Sequence, residues 1–435
     1  MGNGGEDTMT ARTGPPEVDL GVVEGCDGSF QPTVQLKYVD ADDLYLTWRW
    51  EHAPDEPRVL YFERAAVAGV LAELAAALPT PLPGESIERA LTRSLGEGPL
   101  TAPEREAALL GRLATALIPY HLGRELDLLL ERGIRPRLRV QPSPSTGQVP
   151  WEALRVDVTE RLVEHLDVAA LPPATVRHSP ERVVSPWDPA GPVVAALDPR
   201  VPGPAARTGL GSVLGPVGED SPLVAMVAAL GDRLRPEVPP AEAFRRSGLT
   251  RDVLQPLLAD AARFLYVGHV TTGEHGLDAR LHLGCGPDTT GRAAPLGGHR
   301  PLTAADLVLG HRPEAPTPWR MPNRVALVAC ESGGEVRFAE PTGLVAAAIH
   351  AGAEYVVSTR WTLPTDAGVR RFAPGADAET SVIARAVLAV DAAGDAPDPV
   401  VALNDWQRGE LARWRETGAV AHAPFTWGAF TTAHG

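Results

Sequence analysis

Phe264-Leu265-Tyr266-Val267-Gly268 runs straight into His269, and Val325-Ala326-Leu327-Val328-Ala329 runs straight into Cys330. Each is a short, continuous apolar run, the pattern of a strand buried on both faces of a parallel sheet. If the two strands are parallel neighbours, His269 and Cys330 emerge at the same sheet edge. In open α/β sheets that edge, outside the carboxyl ends of the strands, is where ligands bind. An imidazole beside a thiol there pairs a general base with a nucleophile. The residues after the thiol, Glu331-Ser332-Gly333-Gly334, are polar and Gly-rich and suit an exposed loop.

Working outward, the same alternation of short strands and helical segments begins near Arg137. The strands expected are Leu138–Val140, Val193–Leu197, Phe264–Val267, Val325–Ala329 and Tyr355–Val357. The helices expected are Leu223–Leu234, Val253–Ala262, Thr342–Ala351, Ser381–Val390 and Val401–Glu416. Val-, Leu- and Ala-rich strands separated by helices imply an α/β fold: a mostly parallel sheet flanked by helices on both faces. Pro/Gly-dense stretches at Pro199–Gly218 and Gly286–Gly298 read as a surface loop and a loop near the working edge. Residues 136–435 form one expected domain.

Residues 18–135 read as a small α+β module ahead of it. Thr33–Val39 and Leu44–Trp50 alternate apolar and polar residues around Asp40-Ala41-Asp42-Asp43, a hairpin signal, and Arg58–Phe62 adds a third strand. Ala65–Leu78 has helical periodicity and stops at Pro79. Thr101-Ala102-Pro103-Glu104 reads as a capping box opening a second helical stretch, which Pro119 should kink or split. Residues 1–17, Gly- and Thr-rich with no apolar run, read as a disordered tail and not a signal peptide; Met9 could serve as the start.

Composition narrows the function classes. At 435 residues with 44% apolar content, the chain can bury a large core. A net charge of −15, with no Lys/Arg block, argues against direct nucleic-acid binding. Three cysteines, Cys26, Cys285 and Cys330, are too few for a disulfide framework and fit no zinc spacing, which points to a reducing, cytoplasmic compartment. No apolar run reaches bilayer-spanning length, so no membrane is expected. No glycine-rich phosphate loop follows a strand, which weighs against a nucleotide-binding protein.

With these residues in hand, the stretch from about Arg137 to Gly435 resembles the CHAT domain, a bacterial branch of the caspase-like cysteine peptidases. Six segments match in order: Val149-Pro150-Trp151-Glu152-Ala153-Leu154; Leu265 to His269; Leu302-Thr303-Ala304-Ala305-Asp306-Leu307; Leu327 to Gly333; Gly343 to Trp361, ending in Ser-x-x-Trp; and Phe425, Trp427 and Phe430, which resemble the aromatic closing strand. Two departures stand out. The family usually has Gly after the histidine, where this chain has Val270, and it tends to an apolar residue where this chain has Arg360.

The resemblance implies a cysteine endopeptidase cleaving a partner protein in a bacterial conflict or regulatory system, with a sensor or regulator encoded nearby. Cys330 is the nucleophile and His269 the base of a dyad that needs no metal or organic cofactor. Backbone N–H groups of Cys330 and Val270 form the oxyanion hole. Ser358, Arg360, Trp361 and Asp366 line the substrate pocket. Arg360 either pairs with an acidic substrate residue or is a solvated strand-end charge; Asp366 could attract a basic one. Trp361 is either a pocket wall or a core aromatic. His275, in a turn, reads as a solvated loop residue, and Cys285 as structural. Read alone, Cys330 would be a small buried hydrophobe. The alternative function is a catalytically inactive, caspase-shaped interaction module, favoured by Val270, whose side chain restricts the backbone.

Overall fold

The computed structural model describes residues 31–203, 210–273, 275–329 and 343–435. Its centre is an 11-stranded sheet. In chain order the strands are β1 (Thr33–Asp40), β2 (Leu44–Trp50), β3 (Arg58–Phe62), β4 (Arg137–Gln141), β5 (Asp167–Ala170), β6 (Val193–Leu197), β7 (Leu234–Arg235), β8 (Arg263–Gly268), β12 (Arg324–Ala329), β13 (Tyr355–Thr359) and β14 (Phe430–His434). Their spatial order is β3-β2-β1-β4-β5-β14-β13-β12-β8-β6-β7. β9 (Val270–Thr271), β10 (Arg280–Leu281) and β11 (Leu302–Thr303) make a separate three-stranded sheet.

Pairing is mostly parallel, as the apolar strand runs imply. β14 is antiparallel to β13 and parallel to β5, so the sheet divides there into two blocks running in opposite directions. The hairpin strands β1 and β2 belong to the same sheet, because β1 pairs in parallel with β4 from Thr33↔Arg137 to Lys37↔Gln141. At this end only one face is covered. Leu36, Tyr38, Leu44 and Leu46 are buried, while Val39, Tyr45, Val59 and Tyr61 are exposed on the other side, the alternation expected of antiparallel strands with one wet face.

Helices cover both faces of the central strands. In chain order they are α1 (Arg64–Ala77), α2 (Pro103–Leu117), α3 (Tyr120–Glu131), α4 (Pro222–Leu230), α5 (Arg251–Ala259), α6 (Ala304–Leu309), α7 (Leu344–His350), α8 (Asp366–Phe372), α9 (Ile383–Asp395) and α10 (Pro399–Thr417). One core layer joins Leu265, Val267, Ala326 and Val328 to side chains of α1–α4, α9 and α10. The other joins Phe264, Tyr266, Val325 and Leu327 to α5, α6 and α7. Odd and even positions of the two central strands thus serve opposite cores, which is why neither strand shows polar alternation.

Local chemistry revises several expected boundaries. Pro119 splits the second helical stretch, ending α2 at Leu117 and opening α3 at Tyr120. The capping box expected at Thr101 does not form: the N-cap of α2 is Ala102, and the Thr101 hydroxyl donates to the Gly98 carbonyl instead. A capping box does open α6, where Thr303 Oγ1 accepts from the Asp306 amide and the Asp306 carboxylate accepts from the Thr303 amide. Phe425 and Trp427 lie in a short helical turn, and the closing strand starts at Phe430.

Close packing fixes the end of β8. A Cβ at Gly268 would meet Tyr266 Oη at 2.6 Å and Cζ at 2.8 Å. The Tyr266 hydroxyl in turn lies 2.8 Å from the His269 carbonyl and 2.9 Å from that of His282. Gly268→Ala is therefore expected to overpack the strand end and lower stability by about 1–3 kcal/mol, read as a drop in the urea midpoint at unchanged slope.

Candidate active site

The strands leading to the two expected catalytic residues are parallel neighbours in continuous register, from Arg324↔Arg263 to Ala329↔Gly268. His269 therefore follows directly from the residue paired with Ala329. Cys330 lies outside the described residues, as does Cys26. Thr359, at the end of β13, donates its hydroxyl to the Ala329 carbonyl and ties the third strand to the same edge.

His269 is half-buried, and its Nε2 lies 2.7 Å from the Gly211 carbonyl oxygen. A carbonyl can only accept, so Nε2 carries the hydrogen and the neutral ring keeps its lone pair on Nδ1. Nδ1 has no partner among the described residues. Burial holds the His269 pKa below the usual imidazole range. The Gly211 bond and the Asp198 carboxylate pull it partly back, and Arg245 adds to the depression. The ring is thus neutral at pH 7, the state a base requires. Sequence reasoning found no third group, because a backbone carbonyl in a Pro/Gly-rich loop has no side-chain signature.

Val270 begins β9 and is buried opposite Leu281 of β10. The amide of His282 donates to the His269 carbonyl at 3.1 Å. These bonds hold the backbone on both sides of the His269–Val270 peptide.

Of the four expected pocket residues, Ser358 and Arg360 line one cavity of about 60 Å³, with Trp151, Leu171, Val345 and Thr431 among its other walls. Arg360 is neither solvated nor free for a substrate. It is buried, its Nη2 is 2.8 Å from Glu152 Oε1 and its Nη1 2.8 Å from Oε2, and Nη1 also donates to the Gly428 carbonyl at 3.0 Å. Glu152 is itself fully buried, so each charge requires the other. Trp361 is a core aromatic, fully buried, with Nε1 donating to the Phe425 carbonyl at 2.9 Å. Asp366 is occupied at the start of α9: its Oδ1 accepts from the amides of Val382 (2.7 Å) and Ile383 (2.9 Å), and Ser381 donates to Oδ2. It is not set to attract a basic substrate residue.

His275 is exposed, 3.3 Å from Asp278. Cys285 is buried and its sulfur accepts from the Arg251 amide at 3.4 Å, as expected of a structural cysteine. His282 is deeply buried in a polar file: its Nδ1 is 2.8 Å from His299 Nε2 and its Nε2 2.9 Å from the Thr271 hydroxyl. Both of its ring nitrogens are engaged and it is shut off from solvent, so it is not placed to serve as the base.

The CHAT domain family model matches residues 107–434, and the chain belongs to that family, a caspase-like peptidase family. The matched region includes α3 and most of α2 as well as every strand from β4 onward. No curated protein matches the chain. Among solved structures, it is similar to a chain of the Saccharomyces cerevisiae separase–securin complex, at 11% identity and a TM-score of 0.46, over 93% of this chain and 30% of that one. A second structure of that complex gives 10% identity and a TM-score of 0.39, over 92% and 30%. The chain thus spans about 30% of the length of these neighbours.

The buried imidazole of His282 has a consequence for stability. Burial pushes its pKa down to about 3, with the neighbouring His299 adding to the effect. In the unfolded chain it titrates at ~6.5. The folded state therefore binds fewer protons between these values, so its contribution is complete above ~6.5 and is lost as pH falls toward the folded value. The urea midpoint is expected to fall between pH 7 and pH 5, and to fall less steeply in His282→Gln.

Proposed function

We propose that the chain is a cysteine endopeptidase that cuts a partner protein, with Cys330 as nucleophile and His269 as general base. The observation that carries this reading is the in-register end of β8 and β12, Gly268 opposite Ala329, combined with a His269 ring whose hydrogen is committed to Gly211. That commitment leaves Nδ1 to take the thiol proton. The resulting thiolate attacks the scissile carbonyl, and the imidazolium returns the proton to the leaving amine. Backbone N–H groups of Cys330 and Val270 would hold the oxyanion. Valine keeps its N–H, and pairing of β9 with β10 holds the backbone beside it. In the cavity beside β13, Ser358 is the substrate-facing residue of the expected set, since Arg360 is already neutralised by Glu152.

On this reading the chain acts in a bacterial conflict or regulatory system with a regulator encoded nearby, and its three scattered cysteines favour a cytoplasmic location. Among the described residues no helix is long and apolar enough to cross a membrane. The rival reading, an inactive caspase-shaped interaction module, draws on Val270 alone. A thiol-reactive probe separates the two, because an activated Cys330 labels faster than Cys26 or Cys285.

Expression in cells followed by mapping of new protein N-termini tests the proposal directly. Cys330→Ala and His269→Ala are each expected to lower cleavage by at least about a thousandfold, with secondary structure retained. Undiminished cleavage by Cys330→Ala would rule the mechanism out.

A further inference from the structure

Among the described residues, Asp198 and Arg245 alone combine a side chain with left-handed backbone, at φ 51° and 55°. Asp tolerates this conformation better than most residues, whereas Arg does not, so the backbone of Arg245 is held there by its surroundings; such strain gathers at functional sites. The two residues are bonded to each other. Arg245 Nη1 lies 3.1 Å from Asp198 Oδ1, and the Arg245 amide donates to Leu197, the last residue of β6, at 3.1 Å.

Asp198 is buried, and besides Arg245 it bonds to two segments that flank His269. Its amide donates at 2.6 Å to the carbonyl of Val267, two residues before the histidine. Its carboxylate accepts from the hydroxyl of Ser212 and from the amides of Val213 (3.2 Å) and Leu214 (3.4 Å). The Gly215 amide closes the turn by donating to Ser212 Oγ at 2.8 Å. Gly211, immediately before this turn, is the residue whose carbonyl meets His269 Nε2.

We propose that Asp198 is a positioning residue: by anchoring the turn at 212–215 it aims the Gly211 carbonyl that keeps His269 as the Nε2–H tautomer, with Nδ1 free to act as base. The proposal rests on the dyad reading. In the step it serves, a proton moves from Cys330 Sγ to His269 Nδ1, leaving a thiolate and an imidazolium whose Nε2–H still donates to Gly211. The carboxylate's negative charge, partly offset by Arg245, favours the imidazolium. Asp198, Arg245 and His282 are the charged or titratable neighbours whose fields reach His269 or are reached by it.

The test compares wild type, Asp198→Ala, Asp198→Asn and Ser212→Ala by two readouts. The first is NMR titration of the His269 ring with each variant placed in a Cys330→Ala background, which removes coupling to the thiol. The second is the pH profile of Cys330 alkylation by iodoacetamide. Asp198→Ala is expected to lower the His269 pKa and to slow alkylation at pH 7 by about tenfold or more. Asp198→Asn keeps an acceptor oxygen for the turn amides but loses the charge, so it should recover part of the rate while the pKa stays low. Ser212→Ala, which leaves the buried charge pair intact, should give a smaller slowing and keeps the question open to measurement if Asp198→Ala fails to fold. A folded Asp198→Ala protein with the wild-type His269 titration and alkylation profile would overturn the proposal. Alkylation of wild-type Cys330 that ignores His269→Ala would overturn the dyad instead, while the NMR titration still decides whether Asp198 sets the state of the imidazole.

Discussion

The site depends on the parallel register of β8 and β12. Six consecutive pairs, Arg263 with Arg324 through Gly268 with Ala329, bring both strands to the same edge at the same height. A slip of one residue would move every side chain to the other face. Here both faces are buried, so a slip would still bury apolar residues, and hydrophobicity alone fixes the register weakly. Polar anchors at the two ends do more. At the lower end, Arg263 Nη2 is 2.7 Å from Asp391, and Arg324 donates to the Gly394 carbonyl at 2.9 Å, so both arginines reach the end of α9. At the upper end, Tyr266 closes over Gly268, and Thr359 bonds to Ala329.

The central strands were legible because they are continuous apolar runs bounded by turn residues, and β6 falls at the expected Val193–Leu197. β5 was not foreseen. Asp167–Ala170 is only four residues long, follows a helical turn at Leu162–His165, and joins the sheet only through contacts with distant β4 and β14. No local window contains that information. The candidate base could be read for the opposite reason, since its position after a strand is a local fact.

Charged and polar site residues were misread where their partners are remote in sequence. Arg360 ends a strand, where a lone charge ordinarily faces water. Its partner Glu152 stands 208 positions away, within the Pro-Trp-Glu segment, which in the sequence is a separate motif. The two motifs are halves of one contact: Trp151 stacks on Tyr38 with ring centroids 5.0 Å apart, while Glu152 reaches Arg360. Such a buried pair adds little net stability but is costly to break from one side. Its effect here is placement, because it pins the 151–153 turn against the junction of β13 and β14.

The same logic explains how the surroundings of His269 are built. An imidazole on a strand end can rotate, and which of its two nitrogens carries the hydrogen is set by the bond the other groups offer it. The acceptor that distinguishes them here is a carbonyl, which cannot titrate and so enforces one tautomer across the whole working pH range. A carbonyl is only as well placed as the chain that carries it, and the loop after Gly211 rests on the core through Val213 and Leu214, apolar contacts that carry no direction. Asp198 supplies the missing constraint from the end of β6, the strand paired with β8. The sheet therefore orients the ring from both sides: directly through the backbone of β8, and indirectly through a carboxylate, a turn and a carbonyl that all begin at its neighbouring strand.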